Sequence, residues 1–134
     1  MTTETITFAS LKLAPEILKV LEESGYQSPT PIQAQAIPEA LLGRDLMAGA
    51  QTGTGKTAAF SVPMLQNLLP QANASASPAK HPIRALILVP TRELAIQVQE
   101  SIQIYAKHTN LRSLVVYGGV DIKTQTPALM RGVE

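Results

Sequence analysis

Residues 46–57 read Leu-Met-Ala-Gly-Ala-Gln-Thr-Gly-Thr-Gly-Lys-Thr, a run that ties residue type closely to chemistry. Leu46 to Ala48 is apolar enough for a short strand. It runs into a small-residue turn holding Gly53 and Gly55, then into Lys56 and Thr57 at the head of a helix-compatible stretch. Glycines let a backbone curl so that several N–H groups converge on one anion. A helix N-terminus adds unpaired donors and a partial positive charge. In a loop of this kind the lysine reaches the β/γ-phosphates of a nucleotide and the threonine hydroxyl holds Mg²⁺, roles that fall here to Lys56 and Thr57. The general pattern carries glycine where this chain has Ala50. The competing reading is a ligand-free glycine turn with Lys56 an ordinary solvated lysine. The order of strand, turn and helix speaks for phosphate.

A loop of this type needs elements to hold it. With 134 residues, 45% apolar and 16% charged, the chain is one globular domain or part of one, not a disordered segment. The net charge of +1 leaves no bulk electrostatic footprint for nucleic acid, so any such binding has to be argued from local sites. Without cysteine there is no disulfide framework and no thiolate metal site. The first residues lack a basic and apolar leader pattern, and no apolar run reaches the roughly 18 residues of a membrane span. A cytoplasmic protein is the expectation.

Pro15 to Ser24 reads as a helix, with proline at its first position and Gly25 just past its end. A second helix begins at Pro31, where Thr30 and Gln33 have capping-box spacing, and ends near Leu42-Gly43. The phosphate-loop strand follows at about 45–50, and a helix runs from Lys56 to about Pro70. Residues 70–82 are small, polar and proline-bearing, and read as a mobile surface loop. Arg84 to Val89 is a near-continuous apolar run of the kind buried on both faces of a parallel sheet. A helix from Arg92 to Lys107 and a third strand from Leu111 to Tyr117 follow. A weaker helix covers 122–131, interrupted by Pro127. This alternation predicts an α/β parallel sheet with right-handed crossovers, on which the segments 50–57, 90–93 and 118–119 share the rim beyond the strand ends. Residues 1–43 form an N-terminal helical region and 44–134 a partial nucleotide-binding domain. His81 and His108 read as bystanders.

Several segments together resemble the first domain of a DEAD-box RNA helicase of the bacterial type. Gly25-Tyr26-Gln27-Ser28-Pro29-Thr30-Pro31-Ile32-Gln33 looks like the Q motif, and Phe8 matches its isolated upstream aromatic. Ala50-Gln51-Thr52-Gly53-Thr54-Gly55-Lys56-Thr57 looks like that family's Walker A, which favours alanine first. Pro90-Thr91-Arg92-Glu93-Leu94-Ala95 looks like motif Ia, and Gly118-Gly119 resembles the glycine doublet. The resemblance implies a RecA-like P-loop NTPase domain, ATP and Mg²⁺ as cofactors, and RNA as a partner held through its backbone.

It also implies roles. Gln33 reads the adenine edge, with its amide accepting from the exocyclic amine and donating to a ring nitrogen. Tyr26 stacks on the base, Thr30 supports the pocket and Phe8 packs nearby. Ala50, Gln51, Thr52, Gly53, Thr54, Gly55, Lys56 and Thr57 hold phosphates and Mg²⁺. Pro90, Thr91, Arg92, Glu93, Gly118 and Gly119 meet the RNA sugar-phosphate chain, where contacts carry no base information. Plainer uses stay open beside these. Gln33 can close a capping box with Thr30 and do nothing else, or do both. Tyr26 and Phe8 can be core aromatics, Arg92 a solvated helix-start residue, and Gly118-Gly119 a turn.

Hydrolysis in this family needs an Asp-Glu-Ala-Asp tetrad, absent from these 134 residues, and an arginine finger from a second domain. The expectation is therefore the front part of a helicase, cut before the Walker B strand, that binds ATP or ADP without RNA-stimulated turnover by itself. Strand edges left open should give a dimer, a swapped assembly or a rearranged sheet. The rival readings are a non-catalytic adenine-nucleotide or RNA-binding module, and another P-loop enzyme. The Gln33 segment, which kinases lack upstream of their phosphate loop, argues against the latter.

Overall fold

The computed structural model describes residues 4–53 and 55–134, which divide into two compact units, one ending at Asn67 and the other beginning at Leu68. The first holds a 3₁₀ turn, Phe8–Leu11, and the helices α1, Pro15–Glu23, α2, Pro31–Leu41, and α3, Lys56–Leu68, whose last residue opens the second unit.

Local chemistry sets the ends of α1 and α2. Pro15 opens α1 and Pro31 opens α2, where a missing N–H costs nothing. Both helices close in the same way. Gly25 (φ +81°) and Gly43 (φ +77°) take the left-handed conformation just past each end. Gly25 N–H donates to Glu22 O and Tyr26 N–H to Leu21 O; Gly43 N–H donates to Ala40 O and Arg44 N–H to Glu39 O. These are paired Schellman bonds that satisfy the last carbonyls. The apolar face of α1, Ile17, Val20 and Leu21, is buried with Phe8, Leu13, Ala36, Ile37, Ala58, Ala59, Val62 and Leu65. Two side chains of α3 fasten it to the earlier helices. Gln66 Oε1 accepts from Ala14 N–H at 2.8 Å, and Asn67 Nδ2 donates to Ala40 O at 3.1 Å.

The second unit contains 3₁₀ turns at Leu69–Gln71 and Pro78–Lys80, then α4, Arg92–Tyr105, and α5, Ile122–Met130. Val98, Ile102 and Tyr105 form the buried face of α4, joined by Ala106 and Leu111. Gln99 Nε2 donates to Ser113 O at 3.2 Å, tying α4 to the segment beside it. The expected helices all form, and α5 continues through Pro127.

The segment 70–82, expected to be a mobile loop, is built differently. It carries two short helical turns and ends in a buried anchor. His81 is 2% exposed; its Nδ1 lies 2.6 Å from Glu134 Oε1 and its Nε2 donates to Ser75 O at 2.6 Å. Glu134 then links distant segments: its carbonyl accepts from Arg84 and Ala85 N–H, its own N–H donates to Arg112 O, and its Oε2 accepts from Arg112 N–H at 2.7 Å. His81 is thus a structural pin, not a bystander.

The runs 44–50, 82–89 and 111–117 are non-helical, and no β ladder is defined among the described residues. The run 84–89, expected to be buried on both faces, alternates instead. Leu86 and Leu88 are 78% and 84% exposed, while Ala85, Ile87 and Val89 are half-buried. No described side chain covers the outer face. Among the described residues, no helix is long and apolar enough to cross a membrane.

Candidate functional site

In the first unit the glycine loop and the segment 25–33 meet through Gln33. Thr30 caps α2: Gln33 N–H points to Thr30 Oγ1 at 3.5 Å and Thr30 N–H donates to Gln33 Oε1 at 3.0 Å, the reciprocal box expected from spacing. Gln33 also reaches beyond its own helix. Its Nε2 donates to Gly55 O at 3.1 Å, and the side chain is 1% exposed. An amide has two N–H donors and two acceptor lone pairs. With one of each used here, one of each is left, the set an adenine edge requires.

Gly55 is required on two counts. Its φ is +86°, and a Cβ there would lie 2.3 Å from Gln33 Nε2 and 3.3 Å from Thr30 Oγ1. The glycine therefore lets the loop backbone press against the Thr30–Gln33 cap. Gly53 also has a positive φ, +82°, with open space around it. Gln51, Thr52 and Gly53 are exposed, and Ala50 and Thr57 half-buried. Thr54 lies outside the described residues. Lys56 is exposed at the first position of α3. The helix dipole disfavours a cation there, and an anion bound at the same N-terminus would reverse that penalty.

Phe8 and Tyr26 form a T-shaped pair, with centroids 6.2 Å apart and planes at 70°. Phe8 is buried at 3% while Tyr26 keeps 39% of its surface open. Phe8 is thus a packing residue that supports a partly exposed tyrosine.

The second unit brings together the other candidate residues. Thr91 Oγ1 accepts from Leu94 N–H at 3.2 Å and so caps α4. Glu93 stands in the first turn, where the dipole favours a carboxylate. Both have local structural accounts. Arg92, exposed at the first helical position, has none of that kind. Its guanidinium carbon lies 4.4 Å from the centroid of the Tyr117 ring. Pro90 is exposed beside the cap. Gly119 has φ +83°, while Gly118 has no positive φ and a Cβ on it would meet nothing within 4 Å. Tyr117 and Gln125, the residues that organise this corner, carry no motif signal, because a ring under an arginine and an amide bonding the backbone eight residues away are seen only in the fold.

No group of three or more His, Cys, Asp or Glu side chains that could hold a metal occurs among the described residues. A divalent ion bound by this unit would rely on the Thr57 hydroxyl and on phosphate oxygens, which suits Mg²⁺ carried with a nucleotide.

Among characterised proteins, the ATP-dependent rRNA helicase RRP3 of Meyerozyma guilliermondii is 45% identical over 125 residues, covering 93% of this chain and 25% of that protein. The ATP-dependent RNA helicase DeaD of Escherichia coli is 46% identical over 127 residues, covering 94% and 19%. The chain thus spans about a fifth to a quarter of the length of these relatives. Among solved structures, a DEAD box protein from Methanococcus jannaschii superimposes with a TM-score of 0.83 at 37% identity, covering 96% of this chain and 33% of that one. The helicase Prp28 from Chaetomium thermophilum, bound to ADP, gives 0.79 at 38% identity, covering 96% and 30%. The fold is therefore that of these proteins' shared domain. The DEAD/DEAH box helicase family matches residues 30–134, and this chain belongs to that family.

Proposed function

We propose that this chain is the nucleotide-binding front part of an ATP-dependent RNA helicase, an enzyme that couples RNA-stimulated ATP hydrolysis to local opening of RNA duplexes. Its non-helical runs are read as strands of a RecA-like parallel sheet, and the protein as cytoplasmic. The observation that carries the reading is the Gln33 Nε2 bond to Gly55 O, at 3.1 Å. It joins the adenine-reading segment to the phosphate loop in one part-buried contact. The ADP bound to the Prp28 structure supports the same ligand class.

The roles follow from the chemistry of the groups present. The N–H groups around 53–57 cradle phosphate oxygens, Lys56 neutralises their charge, and Thr57 supplies a hydroxyl to Mg²⁺. Mg²⁺, when bound, neutralises the developing charge on the phosphates. Gln33 spends its remaining donor and acceptor on adenine, and Tyr26 offers a ring face to the base. Because Gln33 is closed to solvent, contact with a base requires the side chains covering it to move. Arg92, Gly118 and Gly119 meet RNA phosphates, with Pro90, Thr91 and Glu93 shaping the turn. Hydrolysis itself needs acids outside these 134 residues, so the share of this chain is capture and orientation.

Calorimetry on the full-length protein tests the reading. Lys56→Ala should weaken Mg-ATP binding by about tenfold or more, as expected for loss of a charge-assisted contact. Gln33→Ala should weaken ATP and ADP but leave GDP unchanged. Equal losses for ADP and GDP would remove the adenine claim. No heat with Mg-ATP, together with a silent Lys56→Ala, would remove the function.

A further inference from the structure

Tyr117, the last residue before the double glycine, is fixed from both sides of its backbone. Its N–H donates to Gln125 Oε1 at 2.9 Å, and its carbonyl accepts from Gln125 Nε2 at 3.1 Å. One amide on α5 thus does for Tyr117 what a neighbouring strand does in a ladder. With the backbone held, the Cβ from which the ring projects is held, and Arg92 Cζ lies 4.4 Å from the ring centroid.

The manner of contact matters. A guanidinium paired with a carboxylate spends its N–H fork on that partner. A guanidinium held over a ring by its charge spends no N–H donor on a carboxylate, so its five donors stay free of such a partner. Among the described residues no carboxylate pairs with Arg92, which stays exposed. Next to the ring, Gly118 needs no glycine for the chain's own sake: its φ is not positive and a Cβ would meet nothing. A glycine free of such internal demands leaves room for another group to approach the backbone closely. Arg92 lies over the Tyr117 ring and Gly118 follows Tyr117 in the chain, and both are exposed.

We propose that Tyr117, braced by Gln125, is a positioning residue that aims the Arg92 fork and the Gly118-Gly119 amides at one phosphate of an RNA backbone. The inference rests on the RNA-binding reading above and adds two residues which that reading does not include.

The test uses full-length protein, a fluorescein-labelled oligouridylate and a non-hydrolysable ATP analogue. Dissociation constants for the RNA are measured across a salt series, and the Michaelis constant for ATP is measured alongside. Tyr117→Val should weaken RNA binding about three- to fivefold, the scale of a part-exposed cation–π contact, and flatten the salt slope by about 0.7, one phosphate's share. Tyr117→Phe keeps the ring and should stay within twofold of wild type. Neither should move the Michaelis constant for ATP. Gln125→Met removes both backbone bonds at constant length and should act as Tyr117→Val does, giving a second route should the valine variant fold poorly. Combined with Arg92→Ala, Tyr117→Val should add nothing. If Arg92→Ala weakens RNA binding but Tyr117→Val and Gln125→Met do not, or if their effects add, positioning by Tyr117 is wrong. If Arg92→Ala itself leaves RNA binding unchanged, the RNA reading of this corner falls, and the inference falls with it.

Discussion

Two glycines in this chain have different physical reasons to be glycine, and they separate folding from binding. At Gly55 the reason is internal. A Cβ would approach Gln33 Nε2 to 2.3 Å, and φ +86° costs an L-residue about 1–2 kcal/mol by itself. Gln33 is 1% exposed and has little room to retreat, so overpacking adds about 1–3 kcal/mol more. Gly55→Ala should therefore lower unfolding stability by about 2–5 kcal/mol, read by urea titration, and weaken nucleotide binding with it. At Gly118 the fold gives no reason. Gly118→Ala should leave stability within about 0.5 kcal/mol of wild type, yet weaken RNA binding in the assay above. A destabilised Gly118→Ala, or a neutral Gly55→Ala, would reverse this assignment.

At the scale of elements, the sharpest prediction concerns the turns between α3 and α4. His81 and Glu134 are each 1% exposed in their side chains, and Ser75 O accepts from both His81 Nε2 and Arg112 Nη2. Without His81, Glu134 Oε1 keeps only Arg84 Nη1 at 3.9 Å, and a buried acceptor left short of its hydrogen bond costs about 1–3 kcal/mol. His81→Ala should cost that much in denaturant unfolding and raise protease sensitivity in 70–82. A loss below about 1 kcal/mol, within the range of surface substitutions and exposed ion pairs, would mean that the pin does not hold the segment. The contrast with the helices explains what a sequence discloses. Thr30 with Gln33, Pro31, Gly25 and Gly43 act within five residues of themselves, so spacing alone exposes them. His81 finds Glu134 at a separation of 53 residues, and nothing in the small, polar stretch 70–82 signals it. For the same reason the Thr30–Gln33 box was legible and the Gln33–Gly55 bond was not. Tyr117 and Gln125 stayed hidden although they lie close in sequence, because an amide that mimics a strand neighbour has no pattern of its own.

For the whole molecule, the question is what the exposed apolar faces do in water. In the second unit Leu86 is 78% and Leu88 84% exposed, with Ile83 at 64%; in the first, Met47 is fully open. Burying a leucine side chain contributes about 1.5–3 kcal/mol, so Leu86 and Leu88 together offer about 3–6 kcal/mol per chain. That only reaches the low end of the association cost of about 4–15 kcal/mol. A two-fold pairing uses the set twice, and with Ile83 the gain reaches about 9–18 kcal/mol, which exceeds the low end of that cost by about 5 kcal/mol or more. Self-association of the 134-residue chain is therefore expected at micromolar concentration, not nanomolar. Light scattering across a dilution series should show a mass that rises with concentration, and Leu86→Lys with Leu88→Lys should restore the monomer without unfolding α4. A single monomeric mass for the unmodified chain up to about 100 μM, where an association free energy weaker than about 5.5 kcal/mol would be needed, would mean that these leucines stay open in solution.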